Sequence, residues 1–391
     1  FRLSTKNVVA KPYPAILTLI MLTMGVALAS LLVLVGGALD EGFKKNIRGI
    51  DMVVGAKGSP LQLILSAVYQ IDNPTGNISL TEAKKLSKHP LIDETIKLSY
   101  GDSYKGRRII GTSAKYVELY EGEIAQGRIF EKPFEAVVGH LVAEENELEP
   151  GDEFYSSHGM DERGEAHSDH PFIVTGILNP TQTVLDKLII TPPESIWNVH
   201  AHEGEEGGEK EITAMLVQFK NKMGMISLPR MVNEKTSMQA ALPSIEVNRL
   251  FGLFAVGIST LRIVAFSVLF LGAVSIFVSM INSLKDRVFE MALIRAVGAS
   301  KGQVFAMIIL EALLLGLIGV LLGLIVSHSA IYFLSNYAGD QFGITIDFFQ
   351  VSTEEWIVIA ITLLLSLLAA VFPAIKTVRL DVSKVLSSYV K

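Results

Sequence analysis

The sequence predicts a membrane protein: an α-helical bundle of four spans, with a large mixed α/β extracytoplasmic domain inserted between spans 1 and 2. Half of the 391 residues are hydrophobic and the mean hydropathy is +0.41, which is too apolar for an ordinary soluble protein. Four apolar runs are long enough to cross about 30 Å of hydrocarbon as helices. Between the first two runs, residues 40–249 hold 32 acidic and 22 basic residues, which is typical of an aqueous domain.

Charge and cysteine content exclude several classes of protein. The whole chain carries a net charge of −6, and its acidic excess lies in residues 40–249, while bases cluster at the ends of the apolar runs. This distribution argues against nucleic acid as a partner and for contact with membrane lipid. The chain contains no cysteine, so disulfides and thiolate metal sites are excluded.

Loop charges predict the orientation of the spans. Residues 335–355 hold four acids and no base, whereas residues 285–302 hold four cations, so the first loop is expected outside and the second in the cytoplasm. For span 1, a cleaved signal peptide is the alternative, but the apolar run continues past Ala27-Leu28-Ala29, which resembles a cleavage site. The predicted order is a cytoplasmic interfacial helix at 1–14, span 1 at 15–39, the external domain at 40–250, a stalk and span 2 at 251–284, a cytoplasmic helix at 285–302, span 3 at 303–334, an external loop at 335–355, span 4 at 356–376 and a cytoplasmic tail at 377–391.

Within the external domain, strand-like runs alternate with helical segments. Residues 80–88 are predicted as a helix capped by Thr81, and two polar segments, 155–171 and 199–210, are predicted as loops. The predicted strands are 51–55, 95–100, 108–112, 136–139, 172–178, 187–191 and 212–219.

The charged segment 285–302 carries the most specific signal. Apolar residues alternate with its charges at helical spacing, which predicts a short amphipathic helix, and Gly298 predicts its end. The segment reads R-x-x-E-M-A-L-x-R-A-x-G-A-S and is followed by E-A-x-x-x-G-x-x-G-x-x-x-G. This pattern resembles the FtsX-like (MacB-type, type VII) ABC permeases. The matching residues are Arg287, Glu290, Met291, Ala292, Leu293, Arg295, Gly298, Ala299, Ser300, Glu311, Gly316, Gly319 and Gly323.

The resemblance implies that 285–302 is a coupling helix that docks on a separate ATPase subunit. The bias towards cations in cytoplasmic loops explains the four cations but not Glu290 or the small residues Ala292 and Ala296. Small residues let a helix press into a groove, and Glu290 can pair with a partner's arginine. The expected coupling residues are Arg287, Glu290, Met291, Ala292, Arg295, Gly298 and Ala299.

The resemblance also implies the partners. The chain has no G-x-x-x-x-G-K-[ST] motif, so ATP and Mg are expected on the partner ATPase, and no cofactor is expected in this chain. A second copy, or a similar permease, would complete a complex in the bacterial inner membrane, with both termini cytoplasmic. Its work would be export or extraction of a substrate. One alternative is a non-transporting regulator of an external enzyme such as a cell-wall hydrolase, and another is a metal-linked transport component. The external partner would then be an adaptor, a hydrolase or a metal carrier.

Two further sets of residues are candidates for packing and for metal binding. Gly316, Gly319 and Gly323 lie on one side of span 3, which predicts helix packing within one subunit, with a contact between two copies as the alternative. The pairs His167/His170 and His200/His202 have spacings that can share a metal, although scattered histidines in solvated loops are the favoured interpretation. His328 is expected at the outer membrane interface and not as a ligand.

Overall fold

The computed structural model describes residues 12–157, 170–200, 210–342 and 351–379, together with Asp381, Val382 and Val385. Its helices are α1 (Pro12–Asn46), α2 (Pro60–Ala67), α3 (Leu80–Ser87), α4 (Lys115–Leu119), α5 (His140–Asn146), α6 (Pro193–His200), α7 (Met223–Lys235), α8 (Pro243–Ala296), α9 (Lys301–Phe342) and α10 (Thr353–Val378). Its strands are β1 (Met52–Ala56), β2 (Ile78–Ser79), β3 (Ile92–Tyr104), β4 (Arg107–Gly111), β5 (Ile124–Gly127), β6 (Glu135–Val138), β7 (Glu153–Phe154), β8 (Phe172–Leu178), β9 (Ile189–Thr191), β10 (Glu211–Ile212), β11 (Ala214–Phe219) and β12 (Met238–Ala241). A helical unit and an α/β unit, Leu39–Leu253, form separate compact bodies.

Four helices of the described chain are long and apolar enough to cross a membrane. The candidate spans are Ile16–Asn46, Val256–Lys285, Lys301–Leu334 and Thr353–Val378. The α/β unit lies between the first and the second of them in the sequence. The predicted fold class, four spans with an inserted mixed α/β domain, is therefore confirmed.

The predicted separate helix at 285–302 is wrong. The charged residues from Lys285 onwards continue α8 without a break as far as Ala296. No proline or glycine interrupts this stretch, so the backbone stays helical. The change from apolar to charged side chains changes only the surroundings that this part of the helix prefers. The predicted loop 335–355 is also shorter than expected, because α9 extends to Phe342 and α10 begins at Thr353.

Close contacts between small and branched residues hold the helical unit together. A β-carbon on Gly25 would lie 3.0 Å from the backbone nitrogen of Leu269, and one on Gly272 would lie 2.9 Å from the Leu22 side chain, so α1 and α8 approach closely. Leu22 also belongs to an apolar core with Ile276 and other buried residues of α8, α9 and α10. This packing of small against branched residues is typical of helices in membranes.

In the α/β unit, one sheet follows the order β12-β1-β11-β3-β4-β9-β6-β8-β5, with β7 paired to β8. Most pairs are antiparallel, but β4 with β9 and β6 with β8 are parallel. Buried side chains cover the sheet in three apolar clusters.

Each of the seven predicted strands overlaps an observed one. The strand predicted at 187–191 begins only at Ile189, because Val184–Lys187 forms a 3₁₀ turn. Residues 211–212 form a separate short strand that pairs with β2. The predicted cap of α3 is wrong: Ser79, and not Thr81, accepts hydrogen bonds from the amides of Thr81 and Glu82. A serine just before the first helical residue is the preferred N-cap.

Candidate functional site

The chain reverses direction between α8 and α9 through a short turn after Ala296. The amide of Ala299 donates to the carbonyl of Ile294 at 3.1 Å, and that of Gly298 donates to Arg295 at 3.1 Å. Gly298 has φ = +116°. These features form the Schellman ending of a helix, in which glycine tolerates a positive φ. Gly298 therefore ends α8.

A reciprocal pair of hydrogen bonds begins α9. The amide of Gln303 donates to Ser300 Oγ at 3.2 Å, and the amide of Ser300 donates to Gln303 Oε1 at 2.8 Å. This is a capping box, whose S-x-x-Q pattern is readable in the sequence and marks the helix start. The segment 285–311 therefore consists of two helix ends joined by a short turn, with Arg287 and Glu311 facing each other across it, and is called here the α8–α9 hairpin.

The hairpin divides the predicted coupling residues into an exposed and a buried set. The side chain of Glu290 is 62% exposed, and Leu293 and Val297 are also exposed. Met291 is buried in the apolar core of the helical unit, and Ala292 is also buried. Ala292 is 1% exposed, so its side chain is covered by its own chain in this structure, and the expected contact of Ala292 with a partner's groove stays a prediction. The exposed Leu293 and Val297 were not among the predicted site residues, although their spacing of four places them on one helix face.

Arg287 lies between two carboxylates of different burial. Its Nε donates to Oε2 of Glu290 at 3.1 Å, and its Nη1 lies 3.8 Å from Oε2 of Glu311 on α9. The side chain of Arg287 is 15% exposed, and that of Glu311 is 8% exposed. The guanidinium thus links the exposed face of α8 to the interior of the bundle.

The remaining predicted coupling residues connect the hairpin to the bundle. Nη1 of Arg295 donates to the backbone carbonyl of Val378, the last residue of α10, at 3.4 Å. A cation at this place interacts favourably with the carbonyl end of the helix. Ala299 packs, partly buried, against the apolar core. Both contacts fix the position of the turn.

A second polar cluster lies among α1, α9 and α10. Glu355 is fully buried and accepts hydrogen bonds from Ser30 Oγ and from the amide of Ser352, the latter at 2.9 Å. Its Oε1 lies 3.1 Å from Nε2 of His328. Ser327 Oγ donates to Ser30 Oγ at 3.0 Å. Sequence reasoning missed this cluster, although the capping box Ser352-x-x-Glu355 was a readable signal for one part of it.

Gly316, Gly319 and Gly323 of α9 face neighbouring helices of the same chain. A β-carbon on Gly319 would lie 2.7 Å from that of Leu22, and one on Gly323 would lie 2.6 Å from that of Val26, both on α1. A β-carbon on Gly316 would lie 2.5 Å from Ser366 Oγ on α10.

The histidine pairs are only partly described. His167 and His202 lie outside the described residues, and His200 is the last residue of α6. The ring of His170 stacks on Phe134, with centroids 5.1 Å apart. In the described part of the chain, no group of three or more His, Asp or Glu residues is arranged to hold a metal. The metal site stays a prediction.

The fold defines a class of membrane protein: four candidate spans with a large α/β domain between the first two. A family model for the MacB-like periplasmic core domain matches residues 15–226, more than half of the chain. A model for the C-terminal part of FtsX-like permeases matches residues 262–382, which include the hairpin. The chain belongs to the FtsX-like permease family with a MacB-like periplasmic core domain.

Two solved structures match about half of this chain. The periplasmic region of MacB from Actinobacillus actinomycetemcomitans is 14% identical, with a TM-score of 0.36, and the alignment covers 53% of this chain and 97% of that one. The extracellular domain of the ABC-type transporter YknZ from Gram-positive bacteria is 14% identical, with a TM-score of 0.32, over 48% of this chain and 98% of that one. No curated protein matches this chain.

Proposed function

We propose that this chain is the permease subunit of an ATP-driven complex and that a separate ATPase subunit docks on the α8–α9 hairpin. The observation that carries the proposal is the exposed face of the hairpin, where Glu290 lies beside Leu293 and Val297. A carboxylate next to apolar side chains suits a groove that offers a basic residue and an apolar floor. ATP and Mg bind to the ATPase. This chain supplies no group to the hydrolysis of ATP.

In this proposal the hairpin lies in the cytoplasm, and the α/β unit lies on the other side of a bacterial inner membrane. The four cations of 285–302 support this orientation, because short loops rich in lysine and arginine stay in the cytoplasm. Both termini are then cytoplasmic. Docking and release of the ATPase move the hairpin, and α8 carries that motion towards the α/β unit, since α8 is one uninterrupted helix from Pro243 to Ala296. The work done is export or extraction of a substrate by a pair of permease subunits.

Charge reversal at Glu290 tests the docking. The full-length chain and its Glu290→Lys variant are purified in detergent with the ATPase, and binding and permease-dependent ATP hydrolysis are measured. Because Glu290 is exposed, the variant folds, but the new cation repels a basic groove and Arg287. Affinity for the ATPase should fall at least tenfold, or about 1.4 kcal/mol.

Glu234→Lys is the matched control. It also breaks an exposed arginine–glutamate pair on a helix, with Arg230 Nε and Glu234 Oε1 2.8 Å apart, but this pair lies in the α/β unit. The control should bind and stimulate the ATPase as the wild type does. Equal binding by the wild type and Glu290→Lys would contradict docking on this face. A wild-type chain that binds no ATPase would contradict the proposed function as a whole.

A further inference from the structure

Arg287 and Glu311 lie at matching depths on the two arms of the α8–α9 hairpin. Arg287 precedes the end of α8 at Ala296 by nine residues, and Glu311 follows the start of α9 at Lys301 by ten. At 1.5 Å per residue, each lies about 14 Å from the turn along its helix. Two antiparallel helices therefore bring the side chains to the same level, and the 3.8 Å between Nη1 and Oε2 follows from this arrangement.

Glu311 is a carboxylate in an apolar setting. Its residue is 6% exposed, and its neighbours Ile308, Ala312 and Leu315 belong to the apolar core of the helical unit. A buried carboxylate is costly unless a cation or several hydrogen bonds compensate its charge. Nη1 of Arg287, 3.8 Å from Oε2 of Glu311, places a cation beside this carboxylate.

One guanidinium thus faces two acids with unequal contacts. The distance from Nε of Arg287 to Glu290 is 3.1 Å, which is a hydrogen bond. The distance from Nη1 to Glu311 is 3.8 Å, which is an ion pair longer than a hydrogen bond. The acid with the shorter contact is the exposed one that a docking partner reaches first. Any partner cation that pairs with Glu290 competes with Arg287 for that carboxylate.

We propose that Glu311 is a positioning residue of the coupling site, which receives Arg287 when a basic group of the docked ATPase takes Glu290. The guanidinium then closes on Glu311 to hydrogen-bond distance and draws α8 against α9 at the depth where the apolar core begins. This inference rests on the proposed function, because it needs a docked ATPase. It assigns Glu311 a role that is separate from docking itself: Glu311 transmits docking into the bundle without touching the partner.

The experiment separates binding from stimulation. Full-length Glu311→Gln, Arg287→Gln and the double variant are each reconstituted with the ATPase, and the dissociation constant and the permease-dependent rate of ATP hydrolysis are measured. Glu311→Gln should bind the ATPase within threefold of the wild type but stimulate it at least fivefold less. If the two residues act as one unit, the double variant should stimulate no less than Arg287→Gln alone.

Glu355→Gln is the control for loss of stability. It replaces another buried acid of the helical unit by its amide, so it should lower the melting temperature as Glu311→Gln does. Stimulation per folded complex should nevertheless stay within twofold of the wild type.

Three results would overturn the inference. The first is unchanged stimulation of ATP hydrolysis in Glu311→Gln. The second is a loss of stimulation in the double variant equal to the product of the losses in Glu311→Gln and Arg287→Gln. The third is a loss of stimulation in Glu355→Gln as large as that in Glu311→Gln. In each of these cases the wild type still binds and stimulates the ATPase, so the proposed function survives. A wild-type chain that neither binds nor stimulates the ATPase overturns both.

Discussion

Nε2 of His328 on α9 lies 3.1 Å from Oε1 of Glu355 on α10. The same carboxylate accepts a hydrogen bond from Ser30 on α1, so one buried side chain joins three of the four candidate spans. Glu355 has no exposed surface, while its neighbour Glu354 is exposed. Two adjacent glutamates therefore differ in burial. Substituting each of them in turn measures what the buried one contributes to stability.

Glu355→Ala should destabilise the full-length chain by about 3 kcal/mol, because it removes the acceptor of the Ser30 hydroxyl, the contact with His328 and the capping box of α10. Unfolding in a denaturing detergent, followed by circular dichroism, measures the change. Glu354→Ala, at an exposed position, should change stability by no more than about 0.5 kcal/mol. Equal effects of the two variants would contradict the role of the cluster as a link between helices.

Gly319→Val should destabilise the chain by about 2 kcal/mol, because the added side chain meets Leu22, whose β-carbon lies 2.7 Å from the ideal position. Gly257→Val on α8 is the control, since nothing lies within 4 Å of its ideal β-carbon. Denaturant unfolding gives the stability, and light scattering gives the oligomeric state. A change of oligomeric state with unchanged stability would instead favour a contact of Gly319 between two copies.

Glu135 should contribute stability that is lost in acid. Arg128 Nη2 and Nη1 donate to it at 2.7 and 2.9 Å, and the amide of Glu131 donates at 2.7 Å. These hydrogen bonds, above all those from Arg128, lower the pKa of Glu135 from 4.5 to about 2. The folded chain therefore binds this proton less readily than the unfolded chain, and the stabilisation is complete above about pH 4.5 and lost as the pH falls to about 2.

The measurement for Glu135 compares the melting temperatures of the wild type and Glu135→Gln between pH 7 and pH 2. At pH 7 the variant should be less stable by about 1 kcal/mol, since half of the Arg128 side chain is in solvent. The two curves should converge towards pH 2. Glu153→Gln, at an exposed position of β7, is the control for removal of one surface carboxylate. A difference between wild type and Glu135→Gln that persists unchanged to pH 2 would show that the ion pair is not its source.

Reporter fusions test the orientation of the chain. Reporters near Asp161 and Gly339 should be active outside the cytoplasm, and those near Lys301 and Lys391 inside, because cations mark the cytoplasmic loops. A reporter pair, alkaline phosphatase and green fluorescent protein, gives opposite signals on the two sides. One reversed position would remove the four-span topology and the cytoplasmic placement of the hairpin.

Zinc titration tests the histidine pairs. If His167, His170, His200 and His202 share a metal, calorimetry of the full-length chain at pH 7.5 should give binding tighter than millimolar. Affinity should weaken below about pH 6, because only neutral imidazole is a ligand. Alanine at all four positions should abolish it. Binding that survives these substitutions, or that stays weaker than millimolar, would assign the histidines to solvated loops.

The sequence alone determined the span arrangement, the inserted domain and the turn at Gly298. Each of these depends on a local property: twenty or more apolar residues in a row, a change in charge density, or a residue that tolerates positive φ. Local patterns also placed the longer strands. They wrongly separated the charged residues 285–296 from the apolar part of α8, because polarity changes there without any change in helix propensity.

Tertiary structure alone decided which residues meet. The burial of Met291 and Ala292, and the exposure of Glu290, follow from how the helices of the bundle pack, and periodicity by itself cannot give that direction. Ser30 and Glu355 are separated by 325 residues and nevertheless form a hydrogen bond, and the parallel pairing of β4 with β9 likewise joins distant segments. Such contacts depend on the mutual packing of whole helices and strands, because a residue's neighbours in the sequence carry no information about which distant element will lie against it.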